Sequence, residues 1–112
     1  MTGYSRGDVV LVTFVFSDES GEKLRPALVL SSKTWQSARG EVIVLAITSQ
    51  VEKPRPGDHL VSDWRAAHLL SPSLVTGIVR TVKTSMIKKR LGSLAKADLE
   101  GVVREFRRSL EL

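Results

Sequence analysis

The sequence predicts a mainly β domain with α-helix, built as a small curled antiparallel sheet or barrel that one C-terminal helix caps. Two observations predict it. Roughly five or six short segments rich in β-branched and aromatic residues follow one another at close intervals. The last segment instead repeats its apolar residues at helical spacing. With 112 residues, 42% of them hydrophobic, the chain is expected to form a single domain over 1–112.

The first half of the chain predicts three strands, separated by a polar loop and a short connector. The strands are rich in valine, isoleucine and leucine, as strands within a packed structure are. The connector is expected to hold one helical turn, and Gly40 is expected to end it. In chain order the segments are strand 6–16, loop 17–23, strand 25–32, connector 33–41 and strand 41–50.

The second half begins with a loop that two prolines and a glycine keep from pairing, and it ends in an amphipathic helix. Gly77 is expected to mark a bend or bulge within its strand. Gly92 is expected to close a short helix. In chain order the segments are loop 51–57, half-exposed strand 58–64, one or two strands over 71–84, and short helix 85–94. The apolar residues at helical spacing in the terminal helix are Leu99, Val102, Val103, Phe106 and Leu110.

The charge is compatible with a polyanionic partner and equally with simple solubility. Lys and Arg number 17 against 12 acidic residues, which gives a net charge of +5. Segment 83–112 alone holds 8 basic and 4 acidic residues. No apolar run reaches the ~20 residues of a membrane helix, and the first residues lack a secretory pattern. These features favour a cytoplasmic protein that does not enter a membrane.

Several kinds of active site have no support in the sequence. Cysteine is absent, which excludes disulfides and thiolate metal sites, and there are only 2 histidines. Asp58, His59 and Asp63 would make a metal site on paper, but the simpler interpretation is ordinary surface residues at the edge of a strand. Neither a G-x-S-x-G elbow nor a phosphate-binding glycine loop occurs. Zinc hydrolysis, acyl transfer and nucleoside-triphosphate chemistry are therefore disfavoured.

Polar residues at strand ends are the remaining candidates for chemistry. Arg25 opens the second predicted strand, and Pro26 after it restricts its backbone to an extended conformation. Thr48, followed by Ser49 and Gln50, ends the third. If these strands are antiparallel neighbours, Arg25 and Thr48 meet at one rim of the sheet, beside loop 17–23. Taken singly, a surface arginine and a strand-forming threonine need no function at all.

Three stretches in this order resemble the MazF/PemK toxin family of type II toxin–antitoxin systems. They are GDVVLVTFVFSDESGEKLRPALVLSS, EVIVLAITSQ and the long segment from DHLVSDW to LEGVV. Their most specific parts are Gly7 with Asp8, Arg25 with Pro26, and Thr48 with Ser49. The resemblance implies an SH3-like small β-barrel of roughly five to seven strands with a C-terminal amphipathic helix.

The resemblance also implies what the protein does. It implies a homodimeric endoribonuclease that cleaves single-stranded mRNA without the ribosome, a metal ion or another cofactor. The expected cognate antitoxin covers the RNA groove with an acidic segment. Arg25 and Thr48 fall on the catalytic positions, with Arg25 stabilising the phosphorane and protonating the leaving oxygen and Thr48 orienting the phosphate. The positions that fall where RNA contacts are expected are Ser17, Asp18, Lys23, Ser49, Gln50 and Arg80.

One position departs from the family. Lys83 stands where many relatives have an acidic residue, which leaves Asp18, Glu19 or Asp63 as acceptors for the 2′-OH proton only if the fold brings one near. Two alternatives therefore stay open. The first is a non-catalytic toxin or regulator on the same barrel that acts as the CcdB-type gyrase poisons do, and the second is a basic SH3-like nucleic-acid-binding module.

Overall fold

A computed structural model describes residues 3–16 and 21–112, without the side chains of Val15 and Phe16. Its centre is one six-stranded sheet in which every neighbouring pair is antiparallel, in the order β4-β5-β3-β2-β1-β6. The expected mainly β fold with α-helix is confirmed. The strands are β1 Asp8–Phe16, β2 Gly21–Val29, β3 Glu41–Thr48, β4 His59–Leu60, β5 Leu74–Lys83 and β6 Ile87–Ser93. The helices are α1 Lys33–Arg39 and α2 Lys96–Leu110.

The short connector between β2 and β3 is a capped helix, as the sequence predicts. The Ser32 hydroxyl accepts a hydrogen bond from the Trp35 amide at the start of α1. Gly40 follows the helix with a φ of 68°, the left-handed conformation that glycine adopts without a steric penalty. Helix α1 has 7 residues, about two turns, where the sequence predicts one.

Two predicted boundaries are wrong in a way that matters for the site. Strand β2 begins at Gly21, so half of the predicted loop 17–23 pairs with β1 as a long hairpin. Arg25 therefore lies within a strand and does not open one. The half-exposed strand predicted over 58–64 is limited to His59 and Leu60.

The short helix predicted over 85–94 is wrong. After a single 3-10 turn at Thr84–Met86, this segment forms β6, which pairs with Asp8–Val12 of β1 through two bulges. Its charged residues 88–90 are exposed, so the local pattern is poor in the apolar alternation that identifies a strand. The hydrogen-bonding edge that β1 offers decides the conformation, and tertiary pairing overrides local propensity.

The sheet has an apolar core on each side. On one side, which we call the helix face, α2 packs through Val102 and Phe106 on Val9, Leu28 and Leu45. On the other side, which we call the site face, a second buried cluster lies along alternate residues of the same strands. That cluster consists of Val10, Val12, Ala27, Val29, Val42, Val44 and Ile87. Successive side chains of a strand alternate between the two faces, so each position can be assigned to one of them.

Helix α2 is fixed to the sheet by a buried carboxylate in its first turn. Asp98, 3% exposed, accepts hydrogen bonds from the backbone amides of Ser62 (2.8 Å) and Asp63 (3.0 Å), and it lies 2.9 Å from Nε2 of His59. Burial alone raises the pKa of Asp98, but these hydrogen bonds and the nearby imidazole outweigh it, so its pKa lies below the usual value. His59 is thus a structural partner of the helix, where the sequence suggested an ordinary surface residue.

Candidate functional site

Arg25 and Thr48 lie near the end of the ladder between the antiparallel neighbours β2 and β3. The paired positions are Ala27 with Ala46, Leu28 with Leu45 and Val29 with Val44. Arg25 and Thr48 each lie two residues beyond the last of these pairs, Ala27 with Ala46. Both belong to the site face, because side chains two residues apart on a strand lie on the same face. Arg25 is two residues from Ala27 and four from Val29, and Thr48 is two from Ala46 and four from Val44. The two residues that the sequence singles out therefore share one face of adjacent strands.

The pairing of β2 with β3 stops at the residue after Pro26. Proline has no N–H to give to a ladder, and within a sheet it is found at edges and interruptions. Here Pro26 lies opposite Leu11 of β1, while the ladder to β3 begins at Ala27. The ladder therefore ends before it reaches Arg25 and Thr48, of which Arg25 is exposed and Thr48 half-buried.

Arg80 and Lys23 extend this polar region along the site face. Arg80 is paired with Val44, and Lys23 lies two residues from Arg25, on the same face of β2. Val44 and Thr48 are four positions apart on β3, so Arg80 lies about 13 Å along the sheet from the level of Thr48. That distance is too long for Arg80 and Thr48 to bind one phosphate, and it suits a neighbouring position of an extended chain.

The two arginines have no acidic partner within residues 3–16 and 21–112. Arg25 donates only to the Leu24 carbonyl, at 3.3 Å, and Arg80 only to the Val79 carbonyl, at 3.1 Å. Both residues are exposed. Their guanidinium groups therefore retain donors for a phosphate or a carboxylate from outside the chain, which an arginine binds through two parallel hydrogen bonds.

The Thr48 hydroxyl is oriented by the turn that follows β3. Its Oγ1 accepts a hydrogen bond from the Gln50 amide at 3.1 Å. A hydroxyl that accepts in this way keeps its own hydrogen for donation to a ligand oxygen. Ser49 and Gln50 are exposed beside it, so this strand end presents several neutral hydrogen-bonding groups.

Next to Thr48 lies a groove of about 900 Å³. Thr48 and Gln50 line it from β3 and its turn, and Phe106, Ser109 and Leu110 line it from the end of α2. Glu52, Lys53, Arg55 and Asp58 contribute charges from the loop between them. The sequence does not predict that α2 lines this groove, because contacts between residues more than 50 positions apart depend on the tertiary fold.

The remaining sequence candidates divide into three groups. Ser17 and Asp18, together with Glu19, lie outside the described residues. Lys83 follows Val82, which packs on the site face, and it is paired with Glu41. Since successive side chains of a strand point to opposite faces, Lys83 belongs to the helix face and does not stand beside Arg80. The Asp63 carboxylate accepts the Ala66 amide at 3.1 Å in its own loop and does not line the groove.

In the part of the chain that the structure describes, no group of three or more histidine, aspartate or glutamate side chains is placed to hold a metal ion. Among the same residues, no helix has the length and apolar character needed to cross a bilayer.

Comparison with known proteins gives the chain its relatives. Residues 5–110 match the family described as PemK-like, MazF-like toxin of type II toxin-antitoxin system. Among curated proteins no significant match is found. The fold is similar to that of a MazE-MazF crystal structure from Deinococcus radiodurans, with 20% identity over 97% of each chain and a TM-score of 0.79.

Two mycobacterial structures have the same fold. One is the Mycobacterium tuberculosis toxin MazF-mt6, with 19% identity over 94% of this chain and 97% of that chain and a TM-score of 0.76. The other is an endoribonuclease in complex with its cognate antitoxin, with 15% identity over 98% and 97% of the two chains and a TM-score of 0.77.

Proposed function

The chain belongs to the PemK-like, MazF-like family of type II toxin–antitoxin toxins, and from this membership we propose that it is a cytoplasmic endoribonuclease toxin. Its substrate is single-stranded mRNA, cut independently of the ribosome and without a metal ion or other cofactor. Residues 1–112 act as one toxin domain. The observation that supports this proposal most strongly is that Arg25 and Thr48 share one face of adjacent strands, where neither has an acidic partner within the described residues.

The proposed reaction uses the nucleophile that RNA itself supplies. The 2′-oxygen attacks the adjacent phosphorus as its proton passes to water, the bond to the 5′-oxygen breaks, and that oxygen takes up a proton from water, so that a cyclic phosphate and a free 5′-hydroxyl remain. Negative charge develops on the non-bridging phosphoryl oxygens in the transition state, where fixed donors act most strongly. Arg25 supplies a permanent positive charge with a planar pair of donors, and the Thr48 hydroxyl donates to a second oxygen.

The other proposed RNA contacts lie on either side of this pair. Ser49 and Gln50 follow Thr48, and Lys23 and Arg80 share its face of the sheet. Arg80, about 13 Å along the strands, suits the phosphate of another nucleotide. Ser17 and Asp18, which follow β1 in the sequence and lie outside the described residues, complete the proposed contacts.

Two protein partners are proposed along with this function. One is a cognate antitoxin, for which we propose an acidic segment; a similar mycobacterial endoribonuclease was solved in complex with its cognate antitoxin. The other is a second copy of the chain. Ile78 and Leu110, 51% and 53% exposed, line the groove beside Thr48 together with Phe106, and an apolar surface of this kind supports a homodimer.

The experiment that tests the function is cleavage of a single-stranded RNA by purified protein in EDTA. We expect cleavage by the wild type, and a loss of about 10²–10³ in rate for Arg25→Ala and for Thr48→Val, as for other transition-state donors. Arg39→Ala is the matched control, since Arg39 is an exposed arginine of α1 that pairs with Glu41. Growth arrest that persists in a folded Arg25→Ala variant would instead identify a toxin that acts by binding.

A further inference from the structure

Strand β5 carries a bulge of two extra residues in its ladder with β3. Its segment 76–78 lies against the single residue Ala46, because the register shifts between the two pairs that flank the bulge. Those pairs are Ile47 with Val75 and Leu45 with Val79. The bulge that the sequence predicts at Gly77 is therefore present.

The bulge sets the distance between Thr48 and Arg80 along the sheet. Thr48 lies on one side of it and is paired with Leu74. Arg80 lies on the other side and is paired with Val44. If the register of Thr48 continued without the extra residues, Arg80 would lie opposite Val42, about 20 Å from the level of Thr48 instead of about 13 Å. The bulge therefore brings Arg80 two residues closer to Thr48.

The alternation of side chains does not by itself choose between these two registers. A shift of one residue moves every side chain of a strand to the wrong face, whereas a shift of two returns each one to its own face. Residues 77–81 are exposed, so burial of this segment does little to oppose such a shift. A specific contact within the bulge is needed to hold Arg80 in place.

Thr76 supplies that contact. It is 8% exposed, and its hydroxyl donates to the Ala46 carbonyl at 2.8 Å and accepts from the Ile78 amide at 3.1 Å. One side chain thus bonds both to the strand opposite the bulge and to the last residue of the bulge. Gly57 packs against the same place, since a Cβ on Gly77 would lie 3.9 Å from the Gly57 carbonyl oxygen.

We propose that Thr76 is a positioning residue, which holds Arg80 at the distance from Thr48 that an extended RNA strand requires. This role rests on the proposed function and acts through Arg80. Thr48 is held independently, by its pairing with Leu74 and by the hydrogen bond from the Gln50 amide. Loss of the Thr76 hydroxyl therefore affects the binding of the neighbouring phosphate more than the reaction at Thr48.

The first test is steady-state cleavage of a single-stranded RNA in EDTA by the wild type, Thr76→Val and Thr76→Ser. Valine keeps the shape of threonine without the hydroxyl, and serine keeps the hydroxyl. We expect Thr76→Val to raise KM about fivefold to tenfold, as Arg80→Ala does, with kcat close to that of the wild type. Thr76→Ser should retain the KM of the wild type.

Two further variants separate positioning from a general loss of stability. Arg80→Ala should add no further rise in KM in the Thr76→Val background, because the same contact is already lost. Thr81→Val is the matched control, since it removes a hydroxyl from an exposed position of the same strand, and it should leave both constants unchanged.

The second test does not depend on cleavage. Amide hydrogen exchange should be faster at 78–80 in Thr76→Val than in the wild type or Thr76→Ser, and unchanged at 74 and 75 on the other side of the bulge. If the valine variant does not fold, Thr76→Ala replaces it in both tests, because the smaller side chain lets water reach the two freed backbone groups.

Several results would overturn the role of Thr76. They are a KM of Thr76→Val equal to that of the wild type, an equal rise in KM in Thr81→Val, and a fully additive effect of Arg80→Ala. A fall in kcat at unchanged KM would do the same, since Thr76 would then act on the reacting phosphate. A wild type that leaves RNA intact would instead contradict the proposed function, and hydrogen exchange would still decide whether Thr76 fixes the position of Arg80.

Discussion

Arg25 shows how a strand position can hold a guanidinium group ready for a ligand. Its backbone is paired with Val12 of β1, and Pro26 after it restricts the backbone further. On the other side the ladder to β3 stops at Ala27, and the Arg25 side chain is exposed on the face that it shares with Thr48. The backbone of Arg25 is ordered when the protein folds, so less conformational entropy is lost when RNA binds.

At this scale the structure separates two neighbouring cations that look equivalent in the sequence. Arg80 shares the face of Arg25, whereas Lys83 belongs to the opposite face. We expect Arg80→Ala to weaken RNA binding and to lower the salt dependence of binding by about one counterion. It should raise KM with little change in kcat, since Arg80 is too far away to bind the reacting phosphate.

Lys83→Ala is the matched control on the same strand, and steady-state cleavage at several salt concentrations is the measurement. We expect its KM and kcat to equal those of the wild type. Equal loss of activity in the Arg80 and Lys83 variants would show that net charge, and not the face of the sheet, governs RNA binding.

Among the elements, α2 depends on a glycine in its middle. Gly101 is buried, and a Cβ there would lie 2.3 Å from Cε1 of His59, whose Nε2 meets the Asp98 carboxylate. Alanine is the better helix former by about 1 kcal/mol, so propensity alone predicts that Gly101→Ala stabilises the protein. We expect the opposite, a loss of about 1–3 kcal/mol, because the ring has to move from its partner.

Urea denaturation of Gly101→Ala measures this free energy of unfolding directly. Ala97→Gly, at an exposed position of the same helix, serves as a control that reports propensity alone. An unchanged or higher stability of Gly101→Ala would show that the contact between His59 and α2 is not a constraint.

The elements also show where sequence reasoning succeeds and where it fails. Helix α2 is readily predicted because its apolar residues recur at helical spacing over 15 residues. Strand β6 is missed because residues 88–90 are charged and its conformation is decided by the free edge of β1. The shared face of Arg25 and Thr48 lies between these cases. The sequence predicts that both residues belong to strands, but the adjacency and register of those strands depend on the folded sheet.

For the whole molecule, the stability in acid is linked to Asp98. The pKa of Asp98 is lowered in the folded protein, so the folded state binds its proton less tightly than the unfolded state does. The ionised Asp98 carboxylate therefore contributes its full stabilisation of the folded protein above the pKa that it has in the unfolded chain, about 3.9. This contribution is lost as the pH falls below that value and through the lower pKa that Asp98 has in the folded protein.

The measurement is the free energy of unfolding of the wild type and Asp98→Asn as a function of pH. We expect the difference between the two proteins to be constant near neutral pH and to narrow below about pH 4, where the wild-type carboxyl also becomes protonated. A difference that does not change with pH would contradict the role assigned to this carboxylate.

Arg25, Thr48 and Arg80 all lie on the site face of the sheet. Our central proposal is that the 2′-oxygen of RNA is the nucleophile at this face. The most direct test is one oligonucleotide in two forms, all-ribose and with a single 2′-deoxy nucleotide at the mapped cleavage position, incubated with the protein in EDTA. We expect the protein to cleave the all-ribose form, with a cyclic phosphate and a 5′-hydroxyl at the new ends, and to leave the 2′-deoxy form intact. Cleavage of both forms at the same bond would contradict it.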